Sequence, residues 1–191
     1  ALGWQRAGTQ NLNIRSFYLG SAGSESFKGD LRFITPINLS EIDRLIKSRM
    51  LPIQVALIQV TPPDDFGWMS LGISVDVTAA AAEAADLVIA QVNRKMPRVQ
   101  GRSNIHVNDI DIFVEWDEDL RAIGTYPEVA AARNIARYVS RLVDDGSTMQ
   151  MSLGATSDAN IAALMEKNDL GIHTQYVTNT IMKLMAMGVV T

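Results

Sequence analysis

The stretch LPIQVALIQVTPPDDFGWMSLGISVDVTAAAAEAADLVIAQVN, Leu51 to Asn93, decides the fold. It holds two apolar runs rich in β-branched residues, "VALIQV" and "DLVIAQV". Continuous runs of this kind read as strands buried on both faces. Between them, Thr78 stands where an N-cap would open the alanine-rich helix "AAAAEAAD". Strand, helix, strand in that order predicts a right-handed crossover and a parallel sheet. The intervening "TPPDDFGWMSLG" is a loop. Adjacent Pro62 and Pro63 remove two backbone donors, and Gly67 and Gly72 permit tight bends.

Working outward, "LSEIDRLIKSRM" predicts a helix with Ser40 as N-cap and Ile42, Leu45, Ile46 and Met50 on one stripe. Downstream, "DIDIFVEW" alternates. Ile110, Ile112, Val114 and Trp116 share one face and Asp109, Asp111, Phe113 and Glu115 the other, as in an edge or half-exposed strand. The polar "DEDLRAIGTYP", with Gly124 and Pro127, marks a boundary and divides the chain into 1–120 and 121–191. Beyond it, Val129, Ala132, Ile135, Ala136, Val139, Leu142 and Val143 keep helical spacing. A strand over "STMQMSL", a helix over "ANIAALMEK", a strand over "GIHTQYV" and a helix "NTIMKLMAMG" closed by Gly188 follow.

Composition narrows the function classes. Hydrophobic residues make up 47% and charged residues 20% of the 191, ample for a globular core. A net charge of −4 argues against a bulk electrostatic grip on nucleic acid or an anionic membrane. The local cluster Arg94, Lys95, Arg98 and Arg102 runs against that trend. No apolar run is long enough to span a bilayer as a helix. The absence of cysteine removes disulfides, a thiolate nucleophile and cysteine metal sites, and fits a reducing, cytoplasmic setting. His106 and His173 are the only histidines and neither has a ligand-spaced partner, so no metal site is expected. No Gly-x-Ser-x-Gly elbow is present. The acidic cluster from Asp109 to Asp119 lacks the glycine and terminal glutamate of a calcium loop and reads as a solvated strand face.

Two stretches invite a ligand. "QVNRKMPRVQGRSNIHV" follows a strand and so belongs at the carboxyl edge of a parallel sheet, where α/β proteins bind ligands. It brings together amide, cationic, serine and histidine groups. "SLGATSDANIAALM", Ser152 to Met165, runs from a strand through Gly154 into a helix start. Free N–H groups and the positive dipole end there suit phosphate or an oxyanion. With a single glycine, it reads on local chemistry as an ordinary β–α turn.

From Leu51 to Thr191 the chain resembles the acetyl-CoA hydrolase/transferase family, which includes 4-hydroxybutyrate and succinyl-CoA:acetate CoA-transferases. The resemblance rests on Leu51–Asn93, "MPRVQGRSNIHVNDIDIFVE", "IARYVSRLVDDGSTMQ" and "NDLGIHTQYVTNTIMKLMAMGVVT" in collinear order. It extends less distinctively to Phe17–Arg49, with "FYLG" and "NLSEIDRLI".

The resemblance implies an α/β, NagB/CoA-transferase-like open, mostly parallel sheet with flanking helices, then the first elements of a second similar domain. It also implies a ping-pong reaction through a glutamyl-CoA thioester, with acyl-CoA and a small carboxylate as partners. The family's glutamate lies in the second domain past Thr191. No catalytic residue is therefore expected in this chain, which reads as an inactive fragment missing the start of domain 1 and most of a second domain in cis. Asn93, Met96, Pro97, Arg98, Ser103 and His106 follow the family pattern and are the substrate-side candidates, as Gly101 and Asp109 also match.

Gln150, Ser152, Gly154, Ala155 and Asp158 align with the family's coenzyme A loop. There Ser152 replaces a glycine, Ala155 another small residue and Ser157 a proline, which predicts a weakened site. Phe66, Arg102 and Gln175 depart from a usual histidine, aspartate and glutamate. A non-catalytic CoA-binding or interaction module is the alternative, while a sugar-phosphate isomerase of the wider fold has no matching motif. A homo-oligomer is compatible with the sequence. Phe66, Trp68 and the C-terminal methionines would drive association if a domain interface were exposed.

Overall fold

The computed structural model describes residues 14–17, 32–122, 124, 127 and 129–191. The expectations for Tyr18, Leu19 and Gly20, and for Ile123, Thr125 and Tyr126 of the boundary segment, lie outside them. The chain divides into two compact units, Ala1–Leu120 and Arg121–Thr191.

In the first unit, β1 (Ile14–Ser16) and β2 (Arg32–Ile34) pair in parallel. Helix α1 (Leu39–Lys47) buries Ile42 and Ile46 against Ala80. Asn38, not Ser40, holds the N-cap position, and Met50 falls past the helix end and is exposed. Strand β3 (Val55–Val60) leads to the short β4 (Trp68–Ser70), then to α2 (Thr78–Ala84) and β5 (Leu87–Val92). Thr78 lies inside α2 rather than capping it. Val77 holds the N-cap position without a side-chain cap bond, and one residue earlier Asp76 Oδ1 accepts from the Thr78 amide at 3.2 Å and hydroxyl at 2.9 Å. The antiparallel partner of β4 is β6 (Asn104–His106), and β7 (Ile112–Glu115) completes a parallel sheet in the order β3-β5-β7. The expected crossover and edge strand are both present. Asp111 ties the starts of β5 and β7, its Oδ2 accepting from the Val88 amide at 2.7 Å. That carboxylate is structural, not merely solvated.

One expectation for this sheet fails. Strands β3 and β5 are not buried on both faces. Ala56, Ile58, Val60, Val88 and Ala90 pack with Ala82 of α2, Met69 of β4 and Leu71 just after it. On the opposite face Val55 and Leu57 are exposed, Leu57 by 78%. Among the described residues only one layer covers the sheet, so an apolar composition suited to two faces is half used.

In the second unit, α3 (Ala130–Val139) packs on α4 (Ala155–Ala162). Strands β8 (Thr148–Met149) and β9 (Gly171–Ile172) pair in parallel, and α5 (Asn179–Ala186) follows. Its core is Met151, Ile161, Leu164, Leu170, Ile181, Leu184, Val189 and Val190. Only Ala132 and Ala136 of α3 are buried, whereas Ile135 and Leu142 of the expected stripe are exposed. Small alanines let α3 approach α4 closely, and the larger residues point elsewhere.

The asymmetry of the sheet gives a direct test. Ile58→Ala should cost about 2–4 kcal/mol, whereas Leu57→Ser should stay within about 0.5 kcal/mol, both read by denaturant unfolding. Equal losses at the two positions would mean that the Leu57 face is covered.

Candidate functional site

Parallel strands send their following loops to one edge. At that edge, the Pro62–Trp68 loop after β3 meets the Asn93–Ser103 segment after β5. The loop closes on Asp64. The Gly67 amide donates to Asp64 O at 3.0 Å, and Asp64 Oδ1 accepts from the Phe66 and Trp68 amides at 3.0 and 2.9 Å. Arg98 then clamps it. One guanidinium nitrogen donates to Pro62 O at 2.8 Å and Trp68 O at 3.1 Å, and the other lies 3.5 Å from Asp64 Oδ2. His106 holds the tip from the β6 side. Its Nε2 lies 3.0 Å from Phe66 O, and its Nδ1 accepts from the Asn108 amide, which requires the Nε2–H tautomer. Its ring meets Trp68 edge-on at 5.0 Å. Gly67 is needed here, because its φ is +81° and a Cβ would sit 2.8 Å from His106 Nε2. Phe66 projects from this braced turn, 82% exposed.

Of the other substrate-side candidates at this edge, Asn93, Met96 and Ser103 are buried. Asn93 is wholly buried. Its amide nitrogen donates to Glu118 O at 2.8 Å, and its Oδ1 accepts from the Lys95 and Glu118 amides. Lys95 pairs with Asp119 at 2.6 Å, and the Arg94 amide donates to Asp117 Oδ1 at 2.8 Å. Three consecutive residues after β5 are thus joined to three after β7. Met96 and Ser103 are buried, Met96 against Gly72, while Pro97 is exposed.

A cleft of about 280 Å³ opens over the ends of the strands. Pro62, Pro63, Val92 and Trp116 give it apolar walls, and Arg94, Glu115 and Asp117 a charged rim. Glu115 and Trp116 were legible only as strand-face residues. Their place at the carboxyl end of an edge strand was the available signal. Among the described residues, no three His, Asp or Glu side chains are grouped to hold a metal ion.

In the second unit, Gly154 takes the N-cap position of α4 with φ +136°. Gln150 and Ser152 are exposed, whereas Ala155 and Asp158 are half-buried in the first turn. The Thr174 hydroxyl accepts from the Met151 amide at 3.2 Å and donates to Met151 O at 2.6 Å, anchoring the loop's entrance. First-turn amides near Gly154 could meet an anion, but the Asp158 carboxylate occupies the same positive end.

Residues 7–124 match the acetyl-CoA hydrolase/transferase N-terminal domain. The chain belongs to the acetyl-CoA hydrolase/transferase family. It is 38% identical over 181 residues to the 4-hydroxybutyrate coenzyme A transferase of Clostridium kluyveri, covering 95% of this chain and 42% of that protein. It is 35% identical over 158 residues to the succinyl-CoA:acetate/propanoyl-CoA:succinate CoA transferase of Fasciola hepatica, over 82% of this chain and 33% of the relative. The crystal structure of RipA from Yersinia pestis superposes with a TM-score of 0.85 at 30% identity, covering 93% of this chain and 43% of RipA. The chain therefore spans less than half the length of these relatives.

Within this family chain, the Asp64 brace has a measurable electrostatic signature. The Trp68 amide, aided by the Phe66 amide and the charge of Arg98, holds the Asp64 carboxyl below the usual carboxylate range. A carboxyl whose pKa is depressed in the folded state contributes stability above its unfolded value, about 4. That contribution is lost as pH falls through the lower folded value. Asp64→Asn should therefore lower thermal stability at pH 7 and flatten its decline below pH ~4. Wild type and variant curves that run parallel through the acid limb would show that the brace carries no such linkage.

Proposed function

We propose that the chain is part of an acyl-CoA:carboxylate CoA-transferase, or of an acyl-CoA hydrolase, working through a glutamyl-CoA thioester on a glutamate outside these 191 residues. The family match over residues 7–124 carries this reading. In the reaction, a glutamate carboxylate attacks the acyl thioester and expels the CoA thiolate. The thiolate then attacks the glutamyl carbonyl, leaving glutamyl-CoA and the free acyl carboxylate. A second carboxylate, or water, reverses or ends the sequence. Splitting one difficult transfer into two is the gain of nucleophilic catalysis. The relatives' names cover different acyl groups, so the family alone does not fix this chain's substrate.

In this reading residues 1–120 are most of the first CoA-transferase domain, and 121–191 open a second. Arg98 and His106 shape the Pro62–Trp68 loop on the substrate side. Asn93, Met96, Pro97 and Ser103 hold the neighbouring segment in register with it. Gln150, Ser152, Gly154, Ala155 and Asp158 form the coenzyme A loop. Its affinity is reduced because the Ser152 side chain stands where glycine would leave the backbone open, and because Ser157 replaces a proline. The cysteine-free composition supports a cytoplasmic setting.

The assay uses the full-length protein carrying this chain, with acetyl-CoA and a carboxylate acceptor, beside the 191-residue chain alone. The full-length protein should transfer CoA and accumulate a hydroxylamine-sensitive glutamyl thioester, and the short chain should do neither. An inert full-length protein that still binds CoA would favour a non-catalytic binding module. Transfer by the short chain at stoichiometric purity would place the nucleophile within it.

A further inference from the structure

We propose that the cleft over the carboxyl ends of β3, β5 and β7 receives a short, uncharged acyl chain and disfavours a dicarboxylic one. This rests on the CoA-transferase reading and adds the substrate class. The walls are two proline rings, Val92 and the indole of Trp116, itself 64% exposed and therefore open to contact. About 280 Å³ is room for a small hydrocarbon chain. Removing methylene groups from water against such walls is favourable.

The charges around it decide against a second carboxylate. Arg94, the cation among the residues lining the cleft, pairs with Asp117, and Lys95 and Arg98 beside it pair with Asp119 and Asp64. Arg102 of the same segment has no carboxylate partner among the described residues but does not line the cleft. Among the described residues, Glu115 on the cleft rim has no cationic partner, and neither do Asp65 and Glu118 nearby. A carboxylate at the far end of an acyl chain would enter beside Glu115 and Asp117, with no unpaired guanidinium or ammonium among the lining residues to meet it. It would then be repelled by a like charge and lose hydration without compensation. A neutral chain of the same length meets only the apolar walls.

The experiment compares kcat/KM of the full-length protein for butyryl-CoA and succinyl-CoA with acetate as acceptor, in wild type, Glu115→Gln and Trp116→Ala. Butyryl-CoA should be preferred about tenfold. Glu115→Gln should narrow that ratio by raising the succinyl-CoA rate. Trp116→Ala should narrow it by lowering the butyryl-CoA rate. Succinyl-CoA used as well as butyryl-CoA, or a ratio that neither variant moves, overturns the proposal. If neither thioester is turned over, the CoA-transferase reading fails by itself. Calorimetric binding of the same two thioesters then decides the cleft: tighter butyryl-CoA binding that weakens in Trp116→Ala supports it, and equal or absent binding overturns it.

Discussion

The guanidinium of Arg98 joins what the parallel crossover merely brings near. A parallel β3-α2-β5 unit must emit the loops after β3 and β5 at one edge. Nothing in that topology orders the loops themselves, and the first carries two prolines and two aspartates. Arg98 closes it from the β5 side through Pro62 O, Trp68 O and Asp64. His106 does so from β6. With both in place, an exposed loop gains one conformation, and the cleft beside it keeps defined walls.

The same edge shows how acidic and basic residues can be abundant yet leave little free charge. The Asn93–Lys95 and Asp117–Asp119 triplets share backbone and side-chain hydrogen bonds, and the two cations pair with Asp117 and Asp119. Such exposed pairs add little stability individually. Their consequence is geometric, because they continue the β5–β7 pairing past the end of the sheet and leave Glu115 as the uncompensated charge on the cleft.

Much of this was legible in the sequence, for identifiable reasons. Long apolar runs and an alanine-rich segment gave β3, α2 and β5, and alternation gave β7 as an edge. The covering of the sheet was not legible. "VALIQV" suits burial on two faces, but composition does not say which neighbours supply them. Strands expected over "STMQMSL" and "GIHTQYV" shrink to two residues each. Thr174 explains part of this, since its hydroxyl takes both polar groups of Met151 that a longer ladder would use. Residue type marked Asn93, Arg98 and His106 as groups able to meet a ligand. The partners they have here, 25, 36 and 40 residues away, are invisible to local spacing.

The central claim is that the carboxyl edge of the β3-β5-β7 sheet bears the acyl end of the substrate. Hydrogen–deuterium exchange of the full-length protein with and without butyryl-CoA tests it most directly. Added protection should concentrate in the backbone of 64–68 and 115–119. Protection confined to the opposite edge, around Asp86 and Asp111, with the Asp64–Trp68 amides unchanged, would contradict it.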